Sequence, residues 1–132
     1  MSITDAVRKH KGKTVLIADP DYSTIKYAVD VLHDAGASVI STNNGIDAVK
    51  TVYEENVDIA FISLQLRLQG GYDSIKEIKN INNNKSKVIM IALSNGHELE
   101  ERVRCKVIGC KDYLHKPVLP IQFLEMMDKY FK

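Results

Sequence analysis

The sequence predicts an α/β fold in which a doubly wound, five-stranded parallel sheet of strand order 2-1-3-4-5 carries helices on both faces. Five short apolar or β-branched runs alternate with longer segments whose apolar residues recur at helical spacing. The chain has 132 residues, which suits one domain with one hydrophobic core. Within one domain, this alternation is typical of parallel strands joined by crossover helices.

The strands are predicted from the apolar runs. Three of the runs are apolar almost throughout, as expected for strands that are buried on both faces of a sheet. The predicted strands are residues 14–18, 38–42, 58–64, 88–94 and 112–115. In such a sheet, functional groups lie beyond the carboxyl ends of the strands. The segments that follow these ends are residues 18–21, 63–71, 94–96 and 115–117.

The helices are predicted from apolar residues that recur every three or four positions between the strands. Turn formers or glycine end several of these segments. The first helix is expected to end at Gly36, the third at the asparagines Asn82, Asn83 and Asn84, and the fourth at Gly109. Pro120 opens the fifth helix at a position that proline favours. The apolar faces are Ile25, Ala28, Val29 and Leu32; Ile46, Val49, Val52 and Tyr53; Ile75 and Ile78; Leu99, Val103 and Val107; and Leu124, Met127 and Phe131.

The composition excludes several classes of function. The formal net charge of +1 offers no strong field for nucleic acid or an anionic membrane, so neither is an expected partner. No apolar run approaches the length of a membrane span, and the polar N-terminus lacks the apolar segment of a signal peptide. The two cysteines and four histidines have no spacing typical of a disulfide framework or a metal site. We therefore expect a cytoplasmic protein, with residues 1–12 as an N-terminal extension and residues 13–132 as the domain.

Side chains at the predicted strand ends carry a family resemblance. Strand one runs into Asp19, strand three ends in Ser63, and strand four ends in Ser94. Strand five contains Tyr113 and is followed by Lys116-Pro117. In this order and at these spacings, the chain resembles the receiver domain of two-component response regulators over about residues 13–131. The resemblance implies a flavodoxin-like (βα)5 fold, a role in phosphorelay signal transduction, and a cis peptide bond at Lys116-Pro117.

The chain departs from this family at two positions that carry its chemistry. The resemblance implies that Ser63 takes the place of the phosphoacceptor aspartate and that Pro20 takes the place of an acid that binds Mg²⁺. Proline has no side-chain oxygen and serine offers only a neutral hydroxyl, so we expect neither a metal nor a cofactor. Asp19 is expected to pair with Lys116, with a hydroxyl of Ser63 or Ser94 donating to its carboxylate.

Asp21 is the remaining acid near this pocket. We interpret it as the N-cap of the first helix, and ligation of Mg²⁺ together with Asp19 is the alternative. The resemblance also implies that Ser94 and Tyr113 form the hydroxyl and aromatic pair that moves when receivers are activated. In the loop after Ser63, Leu66 and Leu68 are expected either to be exposed at the rim of the pocket or to fold over it.

These departures indicate a pseudo-receiver, which is not an enzyme and acts as a phosphorylation-independent protein–protein interaction module. The expected partner is a signalling protein, such as a kinase, another regulator or an effector, and a second copy of the chain is the alternative. Because the sequence ends soon after the fifth helix, we expect output through a protein partner. The interaction face that the resemblance implies comprises Val103, Val107, Tyr113, Leu114 and Leu124.

Two other functions remain open from the sequence. The chain could be a Mg²⁺-dependent phosphoacceptor that uses Ser63 or another non-standard residue, although a serine nucleophile requires a neighbouring base. It could also be a sensor of a small ligand that binds in the vacated pocket. Basic residues near the fourth helix are either the rim of a partner surface or a solvated face; these are Arg102, Arg104, Lys106 and Lys111.

Overall fold

A computed structural model describes residues 9–81, 87–96 and 99–131. Within these ranges, strands and helices alternate along the chain. The strands are β1 (Thr14–Ala18), β2 (Ser38–Thr42), β3 (Ile59–Ser63), β4 (Ile89–Ser94) and β5 (Asp112–His115). The helices are α1 (Tyr22–Asp34), α2 (Gly45–Glu54), α3 (Gly71–Lys79), α4 (Leu99–Ile108) and α5 (Pro120–Tyr130). The predicted strands are therefore confirmed, with β3 shorter by one residue at each end and β4 shorter by one at its start.

The five strands form one parallel sheet of order β2-β1-β3-β4-β5, as predicted. In the register, Val15 of β1 lies opposite Ile59 of β3, and Ile59 lies opposite Ile89 of β4. Every residue of β3 is buried, as expected for a central strand covered on both faces. This order places the carboxyl ends of β1, β3 and β4 side by side.

Helices cover both faces of the sheet. On one face, α1 and α5 pack on a layer that includes Leu32, Phe61 and Phe123, and the two phenylalanine rings meet edge to face at 5.1 Å. On the other face, α2, α3 and α4 pack on a layer that includes Val52, Ile78, and Cys105. No helix within the described ranges is long and apolar enough to cross a membrane.

The apolar face predicted for α4 points away from the core. Leu99, Val103 and Val107 are 75%, 53% and 79% exposed, whereas Cys105 is buried. Two residues along a helix correspond to a rotation of about 200°, so Val103 and Cys105 face opposite ways. Spacing alone identified the helix and assigned its inner face wrongly. In α2, likewise, the predicted face residues Ile46 and Tyr53 are exposed, while Val52 is buried.

The described part of the N-terminal segment packs on the domain. The His10 amide donates to the carbonyl of Ala35 at 3.0 Å, and its buried ring lies 2.9 Å from Asp128 Oδ1. Residues 1–8 of the predicted extension, and the asparagines Asn82, Asn83 and Asn84, lie outside the described residues. The third helix ends before those asparagines, at Lys79.

Candidate functional site

The strand ends bring four of the predicted residues into one pocket. Asp19, Ser63 and Ser94 have no exposed surface, and Lys116 is 8% exposed. Asp19 follows β1, Ser63 and Ser94 end β3 and β4, and Lys116 follows β5. The Lys116-Pro117 peptide bond is cis, as the family resemblance implied. The pocket is therefore a buried polar site within an otherwise apolar region.

Asp19 and Lys116 form the predicted ion pair. Lys116 Nζ donates to Asp19 Oδ1 at 3.0 Å, and the Asp21 amide donates to the same oxygen at 2.7 Å. Burial raises the pKa of Asp19 above its ordinary value, although the Asp21 amide and Lys116 act in the opposite direction. Asp19 Oδ2 has no hydrogen-bond partner among the described residues. The expectation that a serine hydroxyl would donate to this carboxylate is wrong.

Ser63 bonds to the loop that follows it. Its Oγ accepts from the Gln65 amide at 3.1 Å, which stabilises the turn where the chain leaves β3. Gly71 opens α3 directly against this turn, because a Cβ at that position would collide with the Ser63 carbonyl oxygen. In this arrangement the Ser63 hydroxyl supports the loop backbone, and no general base is bonded to it among the described residues.

Asp21 is the N-cap of α1, as interpreted from the sequence. Its Oδ1 accepts from the Ser23 amide at 3.0 Å, and its Oδ2 accepts from Thr24 Oγ1 at 3.3 Å. The Ser23 amide is the main reason why the pKa of Asp21 is lowered from its ordinary value. Both carboxylate oxygens of Asp21 are therefore engaged by the first turn of α1.

The side chains of this pocket do not fit Mg²⁺. The ion takes octahedral oxygen coordination, usually with one or two carboxylates. Here Asp19 is held by Lys116, Asp21 caps a helix, and Pro20 offers no side-chain oxygen. Among residues 9–81, 87–96 and 99–131, no group of three or more histidine, cysteine or acidic side chains is arranged to hold a metal. Among the described residues of this pocket, Asp19 Oδ2 is a buried carboxylate oxygen without a hydrogen-bond partner.

Ser94 and Tyr113 are joined through a residue that the sequence did not single out, Glu101 of α4. Ser94 Oγ donates to Glu101 Oε1 at 2.5 Å, and the Tyr113 hydroxyl lies 2.6 Å from the same oxygen. The Tyr113 hydroxyl also lies 2.7 Å from the Gly96 carbonyl oxygen. A Cβ on Gly96 would come within 2.8 Å of the Glu101 carboxylate, so glycine leaves room for this contact.

Glu101 lies at this site because it is on the inner face of α4. It precedes Cys105 by four residues, and residues four apart share one side of a helix. Burial raises the pKa of Tyr113, and the hydrogen bond with Glu101 raises it further. A carboxylate of the chain itself thus bonds both hydroxyls of the predicted moving pair. An i, i+4 relation to Cys105 was visible in the sequence, but nothing there identified Cys105 as the buried residue.

A groove of about 320 Å³ separates α4 from β5. Exposed apolar side chains of α4 lie along it together with basic ones, and the Arg102 guanidinium carbon is 5.3 Å from the Tyr113 ring centroid. Its lining includes Leu99, Arg102, Val103, Lys106, Lys111 and Tyr113. We call these six residues and Val107, which is exposed on the same side of α4, the α4–β5 face.

Two residues of the predicted interaction face lie elsewhere. Leu114 is 5% exposed and belongs to the core layer under α1 and α5. Leu124 is half-buried and packs on that same layer. For Leu114, alternation along β5 explains the difference, because neighbouring strand residues point to opposite faces of the sheet and Tyr113 occupies the face toward α4. Leu124 is on α5, which covers the other face. Val103, Val107 and Tyr113 therefore remain as the predicted surface.

The loop after β3 combines both arrangements expected for its leucines. Leu66 is 7% exposed and packs in the core, whereas Leu68 is 79% exposed. Leu68 has φ of +67°, and the Gln69 amide donates to the Arg67 carbonyl at 2.8 Å across it. This three-residue turn with a positive central φ is a rare and strained form. The loop thus presents a large apolar side chain on an unfavourable backbone.

The chain matches the family described as response regulator receiver domain over residues 15–128. It is 30% identical over 122 residues to the chemotaxis protein CheY of Thermotoga maritima, covering 92% of this chain and 99% of that protein. It is 27% identical over 114 residues to the probable transcriptional regulator ycf29 of Pyropia yezoensis, covering 86% of this chain but only 51% of that protein.

The fold is also that of solved receiver domains. The receiver domain of the sensor histidine kinase PA1611 from Pseudomonas aeruginosa superposes with a TM-score of 0.81 at 24% identity, covering 90% of this chain and 97% of that one. In that structure a magnesium ion is coordinated in the active site cleft. At this level of identity, the likeness establishes the five-stranded α/β fold alone.

Proposed function

The chain belongs to the response regulator receiver domain family of two-component signalling, and we propose that it is a receiver that works by binding a protein partner without accepting phosphate. One observation carries this proposal. The buried carboxylate of Asp19 is held directly by Lys116 at 3.0 Å, and Ser63 ends β3, one of the two strands that lie between β1 and β5. Phosphoryl transfer depends on metal ions that neutralise charge on the transferring group, and within the described ranges Asp19 is the one buried acid at these strand ends.

The contacts of Glu101 support the same proposal. A hydroxyl and an aromatic residue that would respond to a phosphoryl group are both bonded to a carboxylate of α4. Charge-assisted hydrogen bonds of this kind are short and stronger than neutral ones. Ser94 and Tyr113 are thus held in one arrangement by the chain itself. A partner that contacts α4 can then shift Glu101 and, through it, the positions of Ser94 and Tyr113.

The α4–β5 face is the proposed docking surface, and its side chains indicate the chemistry of the partner. Leu99, Val103 and Val107 present an apolar stripe along α4, and three basic residues flank it. Asp112, the acid of this lining, is paired with Lys129 at 2.6 Å. The complementary partner is an amphipathic helix with aliphatic residues on one side and acidic residues beside them.

Phosphate acceptance is tested by mass. The purified chain is incubated with acetyl phosphate and Mg²⁺ and its intact mass is measured under denaturing conditions. We expect no gain of a phosphoryl group. The matched control is the double variant Ser63→Asp/Pro20→Asp, which restores both acids and is expected to gain one phosphoryl group. A stoichiometric gain on the unmodified chain, mapped to Ser63 or to any acid of the pocket, would contradict the proposal.

Docking is tested with a synthetic helical peptide that has leucines at positions i, i+4 and i+7 and glutamates beside them. We expect its binding, followed by amide chemical shifts, to perturb residues of the α4–β5 face. Val103→Asp should weaken binding by at least about tenfold, since an acid replaces an apolar contact and faces the acidic peptide. Ile46→Asp is the matched control, because Ile46 of α2 has the same 53% exposure.

Three outcomes separate the alternatives for this face. Equal weakening by both substitutions would contradict docking on α4. Equal binding of a peptide with lysine in place of glutamate would contradict the acidic partner. Dimerisation in solution that Val103→Asp abolishes would replace the partner helix with a second copy of the chain.

A second candidate function is a small-ligand sensor, which one groove favours. A cavity of about 440 Å³ lies between the start of α1 and the segment after β5, and Lys116 lines it together with Asp21 and Tyr27. Small-molecule sites are commonly concave and mostly apolar with a few polar groups. A thermal shift of several degrees with a nucleotide or an anionic metabolite, abolished by Tyr27→Ala, would favour the sensor over the docking module.

A further inference from the structure

Two cysteines lie side by side at the end of α4, where the proposed function makes no use of them. Cys105 and Cys110 are both free thiols, 1% and 5% exposed. Both belong to the core layer beneath α4, and both also line the groove between α4 and β5. The two residues therefore lie between the core and a groove that a small molecule can enter.

The end of the helix explains why these two side chains meet. Gly109 has φ of +122°, in the left-handed region that favours glycine, and it reverses the chain after Ile108. The Cys110 amide then donates to the Cys105 carbonyl at 2.9 Å, and the Gly109 amide donates to the Lys106 carbonyl at 3.2 Å. These two bonds define a Schellman motif, which commonly brings the side chains joined by its longer bond into contact.

The same hydrogen bond fixes the separation of the two cysteines. The path from one Cα through the carbonyl, the 2.9 Å hydrogen bond and the amide to the other Cα totals about 7 Å and bends at the carbonyl carbon. The two Cα atoms are therefore less than about 7 Å apart, the separation beyond which a disulfide cannot form without backbone movement. The two thiols also interact closely enough that each is the leading cause of the other's pKa shift. No movement of a strand or helix is required to join them.

The surroundings make the two thiols unequal. The pKa of Cys105 is lowered, chiefly by the hydrogen bond from Cys110 and also by the Tyr72 hydroxyl and the charge of Arg104, which outweigh burial. Arg104 is positioned by stacking on the Tyr72 ring at 3.9 Å. The pKa of Cys110 is raised, because it donates to Cys105 and is buried. Cys105 is thus the better nucleophile, and Cys110 is the second thiol, which stays protonated until Cys105 has reacted.

We propose that Cys105 and Cys110 are a redox modification site at which a small hydroperoxide oxidises the pair to an intramolecular disulfide. The Cys105 thiolate attacks the peroxide, so that an S–O bond forms, the O–O bond breaks, and the departing alkoxide takes up a proton to become an alcohol. Cys110 then attacks the sulfenic sulfur of Cys105. The S–S bond forms, the S–O bond breaks, and the Cys110 proton leaves with the hydroxyl as water.

The disulfide would tie the last turn of α4 to the entry of β5. Both ends of that link line the groove, so its formation changes the surface on which a partner helix would dock. This consequence rests on the proposed function, whereas the oxidation rests on the two cysteines alone. The experiment therefore measures the oxidation of the cysteines and the binding of the partner helix separately.

The oxidation is tested on the full chain with hydrogen peroxide as the probe. After exposure and quenching, the protein is unfolded without reductant, alkylated and digested with trypsin. Cleavage after Arg104, Lys106 and Lys111 places the two cysteines in different peptides. We expect a disulfide that links peptide 105–106 to peptide 107–111 within one chain and disappears with dithiothreitol. Full alkylation of both thiols, or disulfides only between chains, would overturn the proposal.

Two variants test the roles of the thiols. In Cys110→Ser, the sulfenic acid on Cys105 should persist and be trapped by dimedone. In Cys105→Ser, consumption of peroxide should fall by at least about tenfold, because the remaining thiol lacks the lowered pKa. Equal rates in the two variants would overturn the assignment of the nucleophile.

A third variant distinguishes a site from thiols that react only on unfolding. Leu32→Ala weakens the core layer on the opposite face of the sheet, far from α4. An oxidation rate unchanged by this substitution supports the site. A rate that rises in proportion to the unfolded fraction overturns it. Unchanged affinity of the acidic peptide for the oxidised chain would remove the link to docking while leaving the modification site intact.

Discussion

The pocket at the strand ends and the α4–β5 face differ in every property that determines their use. In the pocket, Asp19 and Ser63 have no exposed surface, and the Asp19 carboxylate is paired with Lys116. On the face, Val103 and Val107 are 53% and 79% exposed and lie among basic side chains. The pocket thus offers a partner or substrate almost nothing, while the face offers a large apolar and charged surface.

Glu101 connects these two regions. It extends from α4, beside the exposed face, to hydroxyls at the ends of β4 and β5. The comparison teaches that a buried pocket and an exposed helix face of one domain can be joined through a single side chain. The Asp19–Lys116 pair leaves Asp19 Oδ2 without a hydrogen-bond partner among the described residues. Glu101 bonds the hydroxyls of both Ser94 and Tyr113.

Breaking the ion pair tests the pocket side of this comparison and should have the largest effect. Lys116→Met leaves the Asp19 carboxylate buried without a cation, so the free energy of unfolding at pH 7 should fall by about 3–5 kcal/mol. Burial raises the pKa of Asp19, so the folded state binds that proton more tightly than the unfolded state. The loss should therefore shrink as the pH falls from 7 toward the ordinary aspartate value.

Urea denaturation at several pH values measures this effect. The double variant Asp19→Asn/Lys116→Met removes both charges and is expected to recover most of the lost stability. If Lys116→Met were as stable as the parent chain at pH 7, the ion pair would not be what stabilises the buried Asp19 carboxylate.

Removing the Glu101 carboxylate tests whether the pocket at the strand ends and the α4–β5 face are connected. Glu101→Ala deletes the common partner of two hydroxyls, and we expect a loss of about 1–2 kcal/mol in the free energy of unfolding. The pKa of Tyr113 should fall, because the Glu101 contact is one of the causes that raise it. Glu100→Ala, at the exposed neighbouring position, should change neither quantity.

NMR of ¹³C-labelled tyrosine resolves the Tyr113 titration from those of the other tyrosines. An unchanged Tyr113 pKa in Glu101→Ala would mean that the carboxylate does not hold this hydroxyl in solution.

Removing the helix cap tests whether Asp21 serves the fold or the pocket. Asp21→Ala should cost about 1 kcal/mol at pH 7, the usual value of an N-cap side chain. The pKa of Asp21 is lowered in the folded state, so its contribution is complete above the ordinary aspartate value and disappears as the pH falls below it. Thermal unfolding from pH 2 to pH 7 should show the two chains converging at the acid end. A rise of the melting temperature with Mg²⁺ in the parent chain alone would instead favour Asp21 as a metal ligand.

The smallest effect is expected at the rim of the pocket and should increase stability. Leu68 has a positive φ, which costs a non-glycine residue about 1–2 kcal/mol, so Leu68→Gly should stabilise the domain by about 0.5–1 kcal/mol after the entropy cost of glycine. Leu68→Ala removes the exposed side chain but keeps the strained backbone, so it should not stabilise. Equal stabilisation by both variants would assign the effect to removal of the exposed apolar side chain. The positive φ of Leu68 would then not be a source of instability.

The strand order was predictable because it depends on local sequence and on a general rule of parallel sheets, and the ion pair was predictable because the receiver resemblance brought Asp19 and Lys116 together. Apolar runs identified β3 and β4, and the common edge of their carboxyl ends implied that Ser63 and Ser94 would lie near Asp19. The inner face of α4 was not predictable. Its outer residues, such as Val103, have the same apolar character as core residues, and the buried contact with the sheet falls to Cys105.

By itself, the sequence determined the fold class and the capping role of Asp21, since these follow from residue identity and nearby spacing. Its resemblance to receivers implied, in addition, that Ser63 and Pro20 stand where the family has acids. Only the tertiary structure decided that Glu101 bonds Ser94 and Tyr113 and that Cys105 meets Cys110 under a groove. The physical reason is rotation about a helix axis. Each residue turns the side chain by about 100°, so the packing of α4 on the sheet, and not its composition, selects which residues point inward.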